Sequence, residues 1–223
     1  IEETNPVISA DGTILYFDRK ENPLNVESPK DDIWYSVKDK NGNWSEAKNI
    51  GRPLNNRDNN FVISTSPDNN TLLLGNKYAT DGVSPNGGGV SIAKKGQSGW
   101  EIPKDVVIED FVNLNGYVGY FLSNDNKNLL MSVERTEGLG LKDIYVSHVR
   151  EDGTFSKPKT LGNVVNTFDD ETNPFLAADG KTLYFASKGH PGYGGFDLFV
   201  TKRLDDTWTN WTKPENLGKI INS

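Results

Sequence analysis

Four segments of this chain repeat one pattern. Asp11-Gly12-Thr13-Ile14-Leu15-Tyr16-Phe17 returns as Asp68-Asn69-Asn70-Thr71-Leu72-Leu73-Leu74, as Asp125-Asn126-Lys127-Asn128-Leu129-Leu130-Met131, and as Asp179-Gly180-Lys181-Thr182-Leu183-Tyr184-Phe185. The spacings, 11 to 68, 68 to 125 and 125 to 179, are 57, 57 and 54 residues. A period of that length holds a four-stranded unit with its turns, so the repeat fixes the architecture before any side-chain chemistry is considered.

The fourth copy reads most clearly. Asn173–Ala178 is a first strand, with Pro174 tolerated near its start. Asp179-Gly180 supplies a tight hairpin of the type I′ kind, and Thr182–Ser187 is a second strand. A glycine-rich loop, 188–195, leads to a third strand, Phe196–Lys202, and Trp208–Leu217 gives an irregular outer strand. Third strands recur at Asp32–Val37, Gly89–Ala93 and Asp143–Ser147. Outer strands recur at Trp44–Ala47, Trp100–Pro103 and Phe155–Pro158. No segment carries the 3.6-residue apolar stripe of a helix. The triplets Leu-Tyr-Phe, Leu-Leu-Leu and Leu-Leu-Met put large side chains on both faces of each second strand, which requires cover on both faces. Radial stacking of blades provides it. The expected fold is an all-β β-propeller of four repeats, each a four-stranded antiparallel blade, in one domain with blades at 1–57, 58–113, 114–168 and 169–223. Four blades could close a small ring or form part of a larger one.

Composition narrows the function. The formal charge of -7 argues against a nucleic-acid surface, which needs a concentrated basic face. The absence of cysteine removes disulfides, thiol catalysis and thiolate metal sites. No apolar stretch approaches the roughly 20 residues that span a bilayer. The chain opens at Ile1 in mid-repeat without an initiator Met, and we read it as a fragment or processed piece.

The runs Ser-Ala-Asp-Gly-Thr-Ile-Leu-Tyr-Phe (9–17) and Ala-Ala-Asp-Gly-Lys-Thr-Leu-Tyr-Phe (177–185) resemble the PD40, or WD40-like, repeat of TolB-type propellers. The stretch from Tyr184 to Phe199, with Asn-Leu-Gly-Lys-Ile-Ile-Asn (216–222) behind it, is similar to the propeller of OmpA-family envelope proteins of Bacteroidetes. Some members of that group, PorE-like, belong to the type IX secretion and gliding apparatus. The resemblance implies a periplasmic, outer-membrane-associated setting and a protein partner. Peptidoglycan would be reached only through domains that these residues do not resemble. The second copy departs from the pattern, with Gly87-Gly88-Gly89 where the others carry Asp before the third strand. The third has Asn115-Gly116-Tyr117 in place of Asn-Pro.

Signatures of chemistry are sparse. The glycine loop 188–195 leads to a strand, whereas a phosphate cradle leads to a helix. The Asp-rich spots lack the alternating calcium-loop pattern and occupy turn positions. His148 and His190 lie in separate repeats and make neither a triad nor a zinc site. No G-x-S-x-G nucleophile elbow is present, and no pair of carboxylates stands out for glycoside chemistry. Trp44, Trp100, Phe155 and Trp211 hold one phase, which reads as packing between blades in preference to a stacking surface for sugars or peptides. Trp208 breaks that register, so one of the 208/211 pair is expected at the surface. The glycines of 188–195 read as positive-φ positions of a compact connection.

We therefore expect a non-enzymatic interaction module that uses no cofactor or metal and binds a protein partner through the loops between second and third strands, at 18–30, 76–88, 133–141 and 188–195. Arg19, Lys77, Tyr78, Arg135, His190 and Tyr193 are the candidate contacts, because Arg and Tyr anchor interfaces well. The alternative is a glycan-binding or glycoside-processing propeller with its site in the central channel.

Overall fold

In every repeat an Asp side chain builds the first hairpin. In the computed structural model, which describes residues 2–27 and 29–222, Ser9 Oγ donates to Asp11 Oδ1 (2.6 Å), and that oxygen accepts the Thr13 N–H (3.0 Å). Ser66 with Asp68 and Ser123 with Asp125 repeat the arrangement at 2.5 Å. Asp179 holds the Lys181 and Thr182 N–H groups in the fourth copy. These hydrogen bonds hold the carboxyls of Asp11 and Asp179 down at about 2. The turn is not the type I′ expected from Asp-Gly. Only Gly12, Asn69, Asn126 and Gly180 take positive φ (70°, 57°, 57° and 65°), and the N–H of each returns to the carbonyl three residues before it. The hydroxyl and carboxylate stabilise a longer loop in which one left-handed residue suffices.

Four antiparallel sheets result, the blades of a β-propeller. The first holds β1 (Glu2–Ile8), β2 (Ile14–Lys20), β3 (Asp32–Val37) and β4 (Lys48–Asn49). The second holds β5 (Val62–Thr65), β6 (Thr71–Gly75), β7 (Val90–Gly96), a short hairpin strand β8 (Gly99–Trp100) and β9 (Lys104–Asp105), which pairs with β7 as the outer strand. The third holds β10 (Gly119–Leu122), β11 (Asn128–Val133), β12 (Asp143–His148) and β13 (Lys159–Thr160). The fourth holds β14 (Glu171–Leu176), β15 (Thr182–Ser187), β16 (Asp197–Lys202) and β17 (Glu215–Asn216). Among the described residues there is no helix. Ile1, Ser28 and Ser223, which fall within the expected 1–57 and 169–223 blades and the 18–30 loop, lie outside the described residues. The chain divides into two compact units, 1–106 and 107–223, with two blades each.

The outer strands begin later than the aromatic residues suggest. Trp44, Phe155 and Trp211 make isolated bridges to the ends of the third strands, at Lys38, Val149 and Arg203, and Phe155 also bridges Ile108. Regular pairing resumes at Lys48, Lys159 and Glu215, and likewise at Lys104 in the second blade. The last three follow a proline (Pro158, Pro214, Pro103) that has no N–H to donate, whereas Lys48 follows Ala47.

Because each outer strand is only two residues long, side chains complete the edge. Asn55 Oδ1 accepts the Ile33 N–H (2.8 Å) and its Nδ2 donates to the Ile33 carbonyl (3.0 Å). Asn166 does the same to Ile144 (2.8 and 3.0 Å) and Asn222 to Leu198 (2.8 and 3.1 Å). One amide side chain thus replaces a paired residue of the ladder. In all four blades a backbone N–H also reaches this carbonyl, from Ile50 (3.0 Å), Val106 (2.9 Å), Leu161 (3.1 Å) and Leu217 (3.0 Å), and the second blade makes that bond without a matching Asn amide.

The core of unit 1 gathers Tyr16, Ile33, Leu54, Val62, Leu72 and Leu74. That of unit 2 gathers Phe121, Leu130, Val146, Leu183, Phe185 and Phe199. Both faces of β6 and β11 are buried, as the apolar triplets require. In β15 one face is partly wet: Tyr184 is 37% exposed, beside Phe175 at 50%. Leu130, at the same position of its repeat, is wholly buried because β14 packs across β11, and unit 2 holds no following blade to cover Tyr184. Trp208 and Trp211 are both buried, contrary to the register argument. A left-handed φ of 64° at Trp208 turns its ring inward, and Trp211 Nε1 donates to the Trp208 carbonyl (2.8 Å).

Replacing Asn166 with Ala strands the buried N–H of Ile144, while its carbonyl keeps the Leu161 N–H (3.1 Å). We expect Asn166→Ala to lower unfolding stability by about 2 kcal/mol, measured by urea denaturation. Asn163→Ala, an exposed change in the same loop, should stay within about 0.5 kcal/mol of wild type.

Candidate functional site

The loops between second and third strands are fastened by buried carboxylates at the start of each third strand. Asp32 Oδ2 accepts the Val26 N–H (2.6 Å), Asp143 Oδ2 accepts the Leu139 N–H (2.6 Å), and Asp197 Oδ2 accepts the Tyr193 N–H. Burial raises the pKa of Asp32 and Asp143. Glu171 performs a similar task on β14. It accepts the Thr167 N–H and hydroxyl (2.7 Å each) and the Ser187 hydroxyl (2.6 Å), while burial pushes its carboxyl up.

In unit 1, Arg19 lies half-buried over the rings of Trp34 (4.5 Å) and Phe17 (5.3 Å) and pairs with Glu3 (2.8 Å). Lys77 is half-buried in its loop, and its ammonium has no ion-pair partner among the described residues. Tyr78 is not presented to a partner. It is buried, and its hydroxyl donates to the Leu54 carbonyl (2.9 Å).

In unit 2, Arg135 is also buried, with Nε to Glu137 (2.6 Å), Nη1 to the Asp110 carbonyl (2.9 Å) and the guanidinium over Tyr145 (5.9 Å). His190 packs between Phe185 and Phe199, and its Nε2 sits 2.9 Å from the Val165 carbonyl oxygen. Ser187, His190 and Glu171 come together without forming a triad. The Ser187 hydroxyl donates to Glu171 and accepts the His190 backbone N–H, and the imidazole points to Val165. Tyr193 is well exposed, as is Phe196, whose ring lies 4.5 Å from the Lys188 ammonium. The glycines of this loop serve close approach in place of positive φ. None of them takes positive φ, and a Cβ at Gly189 or Gly192 would collide with Thr167 or with the Asp197 carboxylate.

Among the described residues, open clefts within single units include three with mixed polar and apolar walls. In unit 1, Arg52, Val83, Trp100, Glu101, Ile102 and Lys104 help line one of about 660 Å³. A neighbour of about 530 Å³ shares Ile102 and Lys104 and reaches Tyr78 and Asn86. In unit 2, Asp110, Arg135, Glu137, Tyr145, Lys157 and Lys159 line one of about 570 Å³. The charges of the last are mutually engaged, since Asp110 also holds Lys157 at 2.6 Å. Among the described residues no three His, Asp or Glu side chains converge to hold a metal ion.

No family model matches this chain, and no curated protein sequence matches it. In structure it is similar to a GH43_12 retrieved from capybara gut metagenome, at 16% identity over 96% of this chain and 41% of that one, with a TM-score of 0.53. It is also similar to the GH43B of the Bacteroides ovatus xyloglucan PUL, at 15% identity over 99% of this chain and 42% of that one, with a TM-score of 0.54. The β-propeller domain of the Trilobed protease from Pyrococcus furiosus matches at 15% identity over 91% of this chain and 55% of that one, with a TM-score of 0.45. The chain spans less than half the length of the two GH43 proteins. At these identities the likeness is one of fold.

Asp18, at the start of the first loop, is buried with Oδ2 accepting from Asn5 Nδ2 (2.6 Å). Loss of hydration pushes its pKa up to about 7, against roughly 3.9 in an unfolded chain. Between these values the folded state binds more protons than the unfolded one, so stability is full below about pH 4 and falls as pH rises through 7. We expect Asp18→Asn to flatten that descent, measured as urea midpoints from pH 4 to pH 8.

Proposed function

We propose that this protein is a non-enzymatic interaction module of a bacterial envelope, binding a protein partner through its strand-connecting loops. One observation carries the preference for binding over catalysis. Asp18, Asp32, Asp143 and Glu171, whose carboxyls are raised by burial, line none of the three clefts. They accept hydrogen bonds from loop and strand groups of the scaffold itself, so none of these raised carboxyls is offered to a substrate as an acid. Loop 188–195 and the adjoining Phe196 instead present Tyr193 and Phe196 on a base fixed by Glu171, Asp197 and the packed His190. Exposed aromatics on a rigid support are what an interface anchor requires. The envelope setting is supported by the PD40-like turns and the 184–199 run, which resemble the repeats of OmpA-family and PorE-like proteins. Glycoside processing, which the likeness to GH43 proteins suggests, would need two free carboxylates flanking one cleft, whereas Asp81 is held by its own turn and Asp110 and Glu137 are held by Lys157 and Arg135.

The double variant Tyr193→Ala/Phe196→Ala tests this reading. After cross-linking in an envelope extract, the wild-type protein should retain a specific partner at least about tenfold better than the variant, while its melting temperature stays nearly unchanged. Equal retention by both would refute the assignment of this loop.

A further inference from the structure

The position held by Trp44, Trp100, Phe155 and Trp211 has diverged among the repeats. Phe155 and Trp211 are buried in unit 2, and Trp44 is 41% exposed. Trp100 is half-buried against the unit 1 core and forms part of the wall of the 660 Å³ cleft. Around that indole the polar groups keep spare bonding capacity. Glu101 and Lys104 have no side-chain partner among the described residues, and Arg52 makes only a 3.6 Å ion pair to Glu27. Asp81 is the exception, its oxygens taken by the Val83 and Ser84 N–H groups and the Ser84 hydroxyl.

We propose that this cleft binds a neutral carbohydrate, a β-linked pyranoside of gluco configuration. A pyranose whose hydroxyls are all equatorial has C–H groups on a flat apolar face that packs on an indole, with hydroxyls around its rim. Each hydroxyl both donates and accepts, so the rim it needs mixes acceptors with donors, as Glu101, Arg52 and Lys104 do. Two cations against two carboxylates leave the cleft without net charge, and the open Glu101 carboxylate repels an acidic sugar. Val83 and Ile102 extend the apolar wall. The Arg135 cleft in unit 2 lacks these properties, because its ions already satisfy one another. This site is separate from loop 188–195 and does not depend on the protein-partner reading.

Calorimetric titration of the intact protein with cellotetraose tests the proposal, with the indole N–H spectrum as a second readout. We expect saturable binding with a dissociation constant on the order of 1 mM and a shift of the cross-peak that Trp100→Phe removes. Affinity should fall about tenfold in Trp100→Ala, fall less in Glu101→Gln, and be largely retained in Trp100→Phe. Maltotetraose should bind more weakly and tetragalacturonate should leave the Trp100 signal unmoved. No saturable heat with cellotetraose, or affinity unchanged in both Trp100→Ala and Glu101→Gln, would overturn the site. Equal binding of maltotetraose would overturn the β-configuration, and stronger binding of tetragalacturonate the neutral ligand.

Discussion

Every third strand here has an edge that its outer strand is too short to close. Two residues of β4, β13 or β17 pair, and the next backbone N–H (Ile50, Leu161 or Leu217) still reaches the carbonyl of Ile33, Ile144 or Leu198, but the N–H of those three residues would be buried without a partner. The amides of Asn55, Asn166 and Asn222 supply that missing acceptor and add a second donor to each carbonyl. Each amide is held in turn by Asn49, Thr160 or Asn216 at 2.8 to 3.0 Å. An unpaired buried peptide group costs about as much as several core contacts return, so the spacing N/T-x-G-x-x-x-N is a packing requirement written in polar residues.

The same economy explains why so many carboxylates lie inside a polar, acidic protein without forming an active site. A buried carboxylate is tolerated where backbone or hydroxyl donors meet it. Asp32, Asp143 and Asp197 each take the N–H of a loop residue four to six positions earlier, which fixes the loop ends and leaves the loop tips free to vary. Raised pKa values are therefore a poor guide to chemistry in this molecule. They follow from burial at scaffold positions.

Much of this was legible in the sequence. The second strands, the third strands and the all-β class follow from the period and the apolar triplets, because those patterns express burial directly. The outer strands were misjudged, since Trp44, Phe155 and Trp211 look like strand residues while regular pairing starts four residues further on, after Pro158 and Pro214 in the last two blades and after Ala47 in the first. Tyr78 and Arg135 looked like exposed loop anchors, but sequence does not say that Leu54 offers a carbonyl or that Tyr145 offers a ring. The Asn clamp was visible as a recurrent motif, and its meaning emerges only from the length of the strand beside it.

The second repeat shows how these constraints bear on binding. It lacks the Asp at the head of its third strand, where Gly89 stands, and it lacks the Asn clamp. Its edge is held by β9 and the Val106 N–H alone, the backbone bonds that the other blades also have, and a short hairpin, β7 to β8, carries Trp100 away from the deep position that Phe155 and Trp211 occupy. Giving up the shared device frees the residues around it. The side chains of Trp100, Glu101 and Lys104 take no part in edge closure or loop fastening, and they line the cleft in which charged groups retain unused hydrogen-bonding capacity. In a chain built from equivalent repeats, departure from equivalence marks the positions that stability does not dictate.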